Sequence, residues 1–167
     1  MFTNQIIRHK DADASFLDRV IALKQSAWPY PKESQMAWVH ENLKEDDLHV
    51  ILMLEDKDVA YLNLCDVRCE INGVETQCKG IGNVCAAVKG MGYGNKLMEL
   101  TNTWLKTNNY VGLLFCHHYV ESFYSRCGWM KIDNSISDIS GITPEILTYA
   151  YNIQKPILSI SYRDRLF

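Results

Sequence analysis

Three glycines, Gly90, Gly92 and Gly94, stand at alternate positions in the stretch VKGMGYGNKLM (88–98). Upstream, VETQCKGIGNVCAAV reads as a strand. Downstream, GNKLMELTNTWLKTNN sets Leu97, Met98, Thr101, Trp104 and Leu105 on one helical face. The chain must therefore pass from strand to helix through a turn almost bare of side chains. A helix N-terminus carries unpaired N–H groups and a partial positive charge, so it is a ready anion site. Glycine lets the backbone approach a phosphate closely, and Lys89 adds a cation. The turn reads as a phosphate or pyrophosphate cradle; the alternative is a tight turn that needs glycine for geometry alone.

Two familiar cradles fail on spacing. A Walker loop requires G-x-x-x-x-G-K-S/T, and a dinucleotide fingerprint requires G-x-G-x-x-G. Counting from Gly90 puts Asn95 at the second or third glycine, and counting from Gly92 puts Leu97 there. The approach to the turn is also a meander rather than the opening strand of a Rossmann unit. The pattern predicts a strand NQIIRH, then a helix DADASFLDRVIALKQSAW capped by Asp11 or Asp13. The apolar face of that helix is Phe16, Leu17, Val20, Leu23 and Ala27. Pro29 and Pro31 break the chain, and a second helix ESQMAWVHENL follows with Met36, Val39 and Leu43 in register. Next come strands LHVILMLE and DVAYLNLCDVRCEI, joined by a turn at Asp56-Lys57, and a hairpin at Asn72-Gly73. After the glycine helix, ended by Asn108 and Asn109, the pattern gives a strand YVGLLFC, a short helix VESFYSRC stopped by Gly128, and a strand WMKID. Two last strands, EILTYAYNI and ILSISY, lie in 134–167. The expectation is one mixed α/β domain over 1–167, with a mostly antiparallel central sheet flanked by helices and a ligand turn between strand and helix.

VCAAVKGMGYGNKLM resembles the acetyl-CoA signature of the GNAT superfamily of N-acetyltransferases, a strand followed by R/Q-x-x-G-x-G/A and a helix. Lys89, Gly92 and Gly94 hold those places, with lysine replacing the usual Arg or Gln. Downstream, FYSRCGW (123–129) resembles the family's F-Y-x-x-x-G-F/W segment, one helix and one strand after the turn. The GLLFC strand with this segment is also locally similar to the aminoglycoside 2′-N-acetyltransferase branch.

The resemblance implies splayed strands at the CoA site. Val84, Cys85 and Ala86 would line the pantetheine arm. Lys89, Gly90, Met91, Gly92, Tyr93, Gly94 and Asn95 would hold the pyrophosphate. It implies direct acyl transfer from acetyl-CoA, as cosubstrate, to a small-molecule amine. Tyr124 stands where many relatives carry the general acid. A tyrosine near its ordinary pKa of about 10 would protonate the departing thiolate. The base is open: Asn83 occupies the strand where relatives carry Glu, leaving a bound water, Asp66, Glu70, His117 or His118. Trp28, Tyr30, His117 and Tyr149 are the acceptor candidates, although these aromatics could equally cover the core. A CoA-binding sensor without catalysis is the reading of different class.

Composition narrows the partners. The net charge of −3 argues against nucleic acid and tolerates a cationic small molecule. No apolar run approaches the roughly 20 residues of a membrane span, and the N-terminus carries no signal-like stretch, so a cytoplasmic protein off the membrane is expected, with a homodimer compatible. The six cysteines (Cys65, Cys69, Cys78, Cys85, Cys116, Cys127) form no C-x-x-C pair and read as buried free thiols rather than disulfides or a metal site. Covalent catalysis by Cys85 or Cys127 is the minor alternative.

Overall fold

The computed structural model describes residues 1–167. The fold is mixed α/β, with four α-helices and an open, mostly antiparallel sheet. By internal contacts the chain divides into two units, Met1–Cys65 with Gly82–Leu100, and Asp66–Ile81 with Thr101–Phe167.

The first unit starts with β1 (Phe2–Arg8), which lies antiparallel to β2 (Leu48–Leu54); β2 pairs antiparallel with the start of β3 (Lys57–Ile71). Residues 55 and 56 make the β2–β3 turn with positive φ at both Glu55 and Asp56, one residue earlier than the sequence pattern places it. Helix α1 (Ala14–Ala27) begins where the Asp13 carboxylate accepts the Phe16 N–H at 2.7 Å, which settles the cap on Asp13. It buries Phe16, Leu17, Val20, Ile21, Leu23 and, unexpectedly, Lys24. Ala27 is exposed rather than on that face, because the helix ends there and the chain swings away at Trp28. In α2 (Lys32–Asn42) the buried positions are Gln35 and Val39, with Met36 only half-buried. Gln35 tolerates burial because its amide donates to the Trp28 carbonyl at 2.7 Å, which also ties the α1–α2 loop to α2.

In the second unit the remainder of β3 turns at Asn72-Gly73 into β4 (Val74–Ala86). The two turn residues have φ of 53° and 77°, the left-handed pair that a tight hairpin requires. Asn72 does more than turn the chain: its side chain accepts the Leu158 and Ser159 N–H groups and donates to the Pro156 carbonyl, pinning the tail. β4 pairs in parallel with β5 (Val111–His117) from Cys78↔Val111 to Gly80↔Leu113. The ladder stops there, although β4 runs on to Ala86. β5 pairs antiparallel with β8 (Ile146–Tyr151), and β8 with β6 (Met130–Ile132). β7 (Ser137–Ile139) and β9 (Ile160–Tyr162) pair in parallel, and β9 returns to β3. The pattern along the sequence misses β7, since three residues carry no alternation to detect.

The second unit's core includes Cys69, Cys78, Leu113, Ile132, Ile139, Ala150, Ile160 and Tyr162. Gly112 is glycine because a Cβ would lie 2.5 Å from the Trp129 ring. Trp129 is itself buried and donates its indole N–H to Asn102 at 2.9 Å, while Asn102 donates to the Cys127 carbonyl. The Trp of the FYSRCGW segment is therefore locked to the second half of α3 (Tyr93–Thr107). All six cysteines are free; five are buried, and Cys127 departs from the expectation by being half-exposed. No helix is long and apolar enough to cross a membrane.

Candidate active site

The first unit holds the glycine turn. β4 releases the chain after Ala86, the Ala87 N–H donates to the Val59 carbonyl at 2.9 Å, and α3 starts at Tyr93. Gly90 and Gly92 have φ of 82° and 77°, where an L side chain is strained, and nothing lies within 4 Å of where a Cβ would stand on either. The turn thus presents bare backbone and open space just before a helix start, whose first N–H groups lack intrahelical acceptors. Lys89, Met91 and Asn95 are exposed; Tyr93 and Gly94 are half-buried. These features fit a pyrophosphate: backbone donors, a positive helix end and room that a side chain would fill.

Just before the turn, β4 is irregular. Asn83 has φ of 53° within the strand, and its amide donates to the Asn63 side-chain oxygen at 2.7 Å. A left-handed residue in a strand interrupts regular pairing and re-aims its neighbours. Beyond it Val84 and Ala86 are half-buried, and Cys85 points inward. Burial pushes the Cys85 thiol up to about 12, despite the nearby Lys24 cation and a hydrogen bond from the Tyr61 backbone. It is therefore a thiol, not a thiolate, at neutral pH. Cys127 is also shifted upward by burial.

A cavity of about 360 Å³ lies in the same unit, lined by Lys24, Trp28, Tyr30, Ser34, Gln35, Trp38 and Asn83. Trp28 and Tyr30 are sequence candidates; Lys24, Ser34, Gln35, Trp38 and Asn83 are additions from the structure. Lys24 had a visible signal. It falls in line with Val20 and Trp28 at i, i+4 spacing, a lysine on an apolar stripe.

The second unit holds Tyr124, in α4 (Glu121–Arg126). Its ring is buried against Phe123 at 5.0 Å and Tyr149 at 6.3 Å between centroids. Burial, reinforced by Cys116, Cys127 and Tyr119, raises its hydroxyl well above the ordinary tyrosine value, so the expectation of an acid near its free pKa does not hold. Tyr149 is fully buried; its hydroxyl lies 3.2 Å from Ser125 Oγ and donates to Glu121 at 3.4 Å. Glu121 also pairs with Lys131 at 2.8 Å. His117 is exposed and stacks on Tyr119, and His118 donates to the Pro144 carbonyl at 3.2 Å. Asp66 pairs with Lys79 at 2.6 Å, and Glu70 is exposed. No three His, Cys, Asp or Glu side chains are grouped to hold a metal ion.

Comparison with known proteins follows the same outline. A family model described as an acetyltransferase (GNAT) domain matches residues 8–132. A comparison with curated protein sequences finds no match. Among solved structures, Escherichia coli ElaA superposes with a TM-score of 0.64 at 18% identity, covering 91% of this chain and 100% of that one. An acyl-CoA N-acyltransferase from Pseudomonas aeruginosa gives 0.63 at 18%, covering 90% and 99%. The E. coli GNAT family N-acetyltransferase YhbS, solved in complex with CoA, gives 0.66 at 11%, covering 98% and 91%. At these identities the structures speak for the fold, and the family model, spanning most of the chain, carries the assignment. The chain belongs to the GNAT acetyltransferase family.

Proposed function

We propose that this protein transfers an acetyl or other acyl group from acyl-CoA to the amine of a small molecule, by direct attack. The observation that carries the reading is the glycine turn: two left-handed glycines with open space above them, at the start of α3 and inside the matched family domain. The CoA complex of YhbS, a protein of the same fold, supports it. Lys89 to Asn95 would hold the pyrophosphate through backbone N–H groups, and Val84, Cys85 and Ala86 would lie along the pantetheine arm. Bound there, acyl-CoA supplies an activated thioester and a thiol leaving group.

The chain's own residues supply positioning and protons. Tyr124 serves as the donor at the departing sulfur. Its raised pKa keeps the proton on oxygen at neutral pH. Full transfer to a thiolate of pKa about 8.5 is uphill, so the hydroxyl acts chiefly by hydrogen-bonding charge as it develops. The acceptor amine must lose a proton; the one carboxylate of β4, Glu75, is exposed and paired with Arg68 at the hairpin end of the strand, and a bound water is the base we assign. The protonated thiol of Cys85 favours direct transfer over a cysteinyl intermediate.

Asn83, tied to Asn63 where relatives place a carboxylate, favours one second reading, a CoA-binding sensor without turnover. Free-thiol release from acetyl-CoA over an amine panel separates the two. Amine-dependent release is expected; saturable CoA binding with no release for any amine would establish the sensor.

A further inference from the structure

The cavity in the first unit is unusual in its charge. Its walls are largely aromatic, from Trp28, Tyr30 and Trp38, with the polar groups of Ser34, Gln35 and Asn83. Lys24 is its one ionisable cation, and none of the lining residues is acidic. The residue is only 3% exposed, and its ammonium lies 4.0 Å from the centre of the Trp38 ring. No carboxylate forms an ion pair with it, whereas Lys32 nearby in sequence pairs with Asp18 and Lys10 with Asp46.

An ammonium buried without a counter-ion is costly unless something compensates it. Trp38 offers only a π face, which attracts the ammonium but carries no net negative charge. The site therefore lacks one thing, a negative charge, and it has the space for a ligand to bring it. The same arrangement opposes polycationic acceptors, which would add a second positive charge to a poorly hydrated pocket.

We propose that Lys24 is the acceptor anchor, and that the acceptor is an amine bearing a carboxylate on a flat or apolar body, of the amino acid type. The carboxylate meets the Lys24 ammonium, the body lies between the indoles of Trp28 and Trp38 and the ring of Tyr30, and the amine is left toward Asn83, one residue before the Val84–Cys85–Ala86 segment. This proposal rests on the acyl-transfer reading and adds the substrate class to it. The electrostatics agree: burial lowers the Lys24 amine to about 8, still charged at pH 7, and a bound carboxylate would raise it back toward the ordinary lysine value. The neighbouring titratable groups, Cys85 on β4 and His49 on β2, are both held neutral at pH 7 and do not supply that charge.

The test uses matched pairs in the full chain by calorimetry: phenylalanine, tyrosine, tryptophan and leucine, each against its decarboxylated amine. Wild type should bind at least one amino acid about 10-fold more tightly than its amine, the worth of one charge-assisted contact. Lys24→Met should erase that ratio, and Lys24→Arg should keep much of it. Equal or tighter binding of every decarboxylated partner, or no binding by any member, overturns the anchor. So does a Lys24→Met protein that unfolds cooperatively yet retains the preference. CoA-induced stabilisation of wild type is measured alongside. If it is present, a lost preference counts against Lys24 alone; if it is absent, the transfer reading fails and the acceptor assignment falls with it.

Discussion

At the scale of single residues, the proposed function rests on two positions of different kind. In the proposed cofactor site Gly92 acts through what it lacks. Aspartate tolerates left-handed φ better than most residues, so Gly92→Asp should fold at a cost of about 1–2 kcal/mol, yet place a carboxylate against the pyrophosphate path. CoA should raise the melting temperature of wild type and of Gly92→Asn, and should not raise that of Gly92→Asp; scanning fluorimetry with CoA reads this directly. In the proposed mechanism Tyr124 acts through one hydroxyl. Tyr124→Phe keeps the ring against Phe123 and Tyr149. The CoA-induced shift should persist, while kcat for acyl transfer falls roughly 10²-fold. Wild-type kcat in this variant, with chemistry rate-limiting, would remove Tyr124 from the mechanism.

At the scale of elements, helix starts and close approaches set the costs. The Asp13 cap holds the entry to α1, the helix that carries Lys24 and leads to Trp28. Asp13→Ala should lower stability by about 1 kcal/mol in urea unfolding, with an unchanged slope; an unchanged midpoint would mean the cap contributes nothing. Gly112 lies on β5 under the Trp129 ring, with Leu105 3.0 Å from the position a Cβ would take. Gly112→Ala should destabilise by about 1–3 kcal/mol through overpacking, because Trp129 is held by its bond to Asn102 and has little freedom to move. Measured stability equal to wild type would show that the indole yields.

At the scale of the whole molecule, acid sensitivity follows from a buried imidazole. His49 has no solvent exposure and sits between His9, at 3.0 Å, and the Tyr61 hydroxyl, at 2.8 Å. Burial first, then the His9 and Lys24 charges, lowers its pKa from 6.5 to about 4, and His9 is lowered too. Between those values the unfolded chain binds the proton and the folded one does not, so stability falls as pH drops from 6.5 to 4. The loss from His49 is on the order of 3 kcal/mol. Denaturant unfolding at pH 7 and pH 4.5 should show the fall, and His49→Gln should flatten it while lowering stability at pH 7. A wild-type stability independent of pH over this range contradicts the assignment.

Periodicity and turn chemistry are local properties, and so the sequence alone determined most elements: most of the helical faces, the Asn72-Gly73 hairpin and the glycine turn between β4 and α3. The two motifs, in order and on those elements, were enough to point to the family. What the chain could not show in one dimension came from packing. Lys24 stands on an apolar stripe in the sequence, but its burial against Trp38 without an ion-pair partner came only from the packing of α1 and α2. Gln35 and Trp38 joined it only because α2 folds back along the Trp28 carbonyl. Tyr124 reads as an ordinary phenol in the sequence, and its raised pKa comes first from burial once α4 is packed, with Cys116, Cys127 and Tyr119 adding to it. The strand β7 exists only because β9 offers it a partner. Local pattern fixes where the backbone turns and which residues face inward; dielectric, counter-ion and cavity depend on which of those faces meet, and only the tertiary structure decides that.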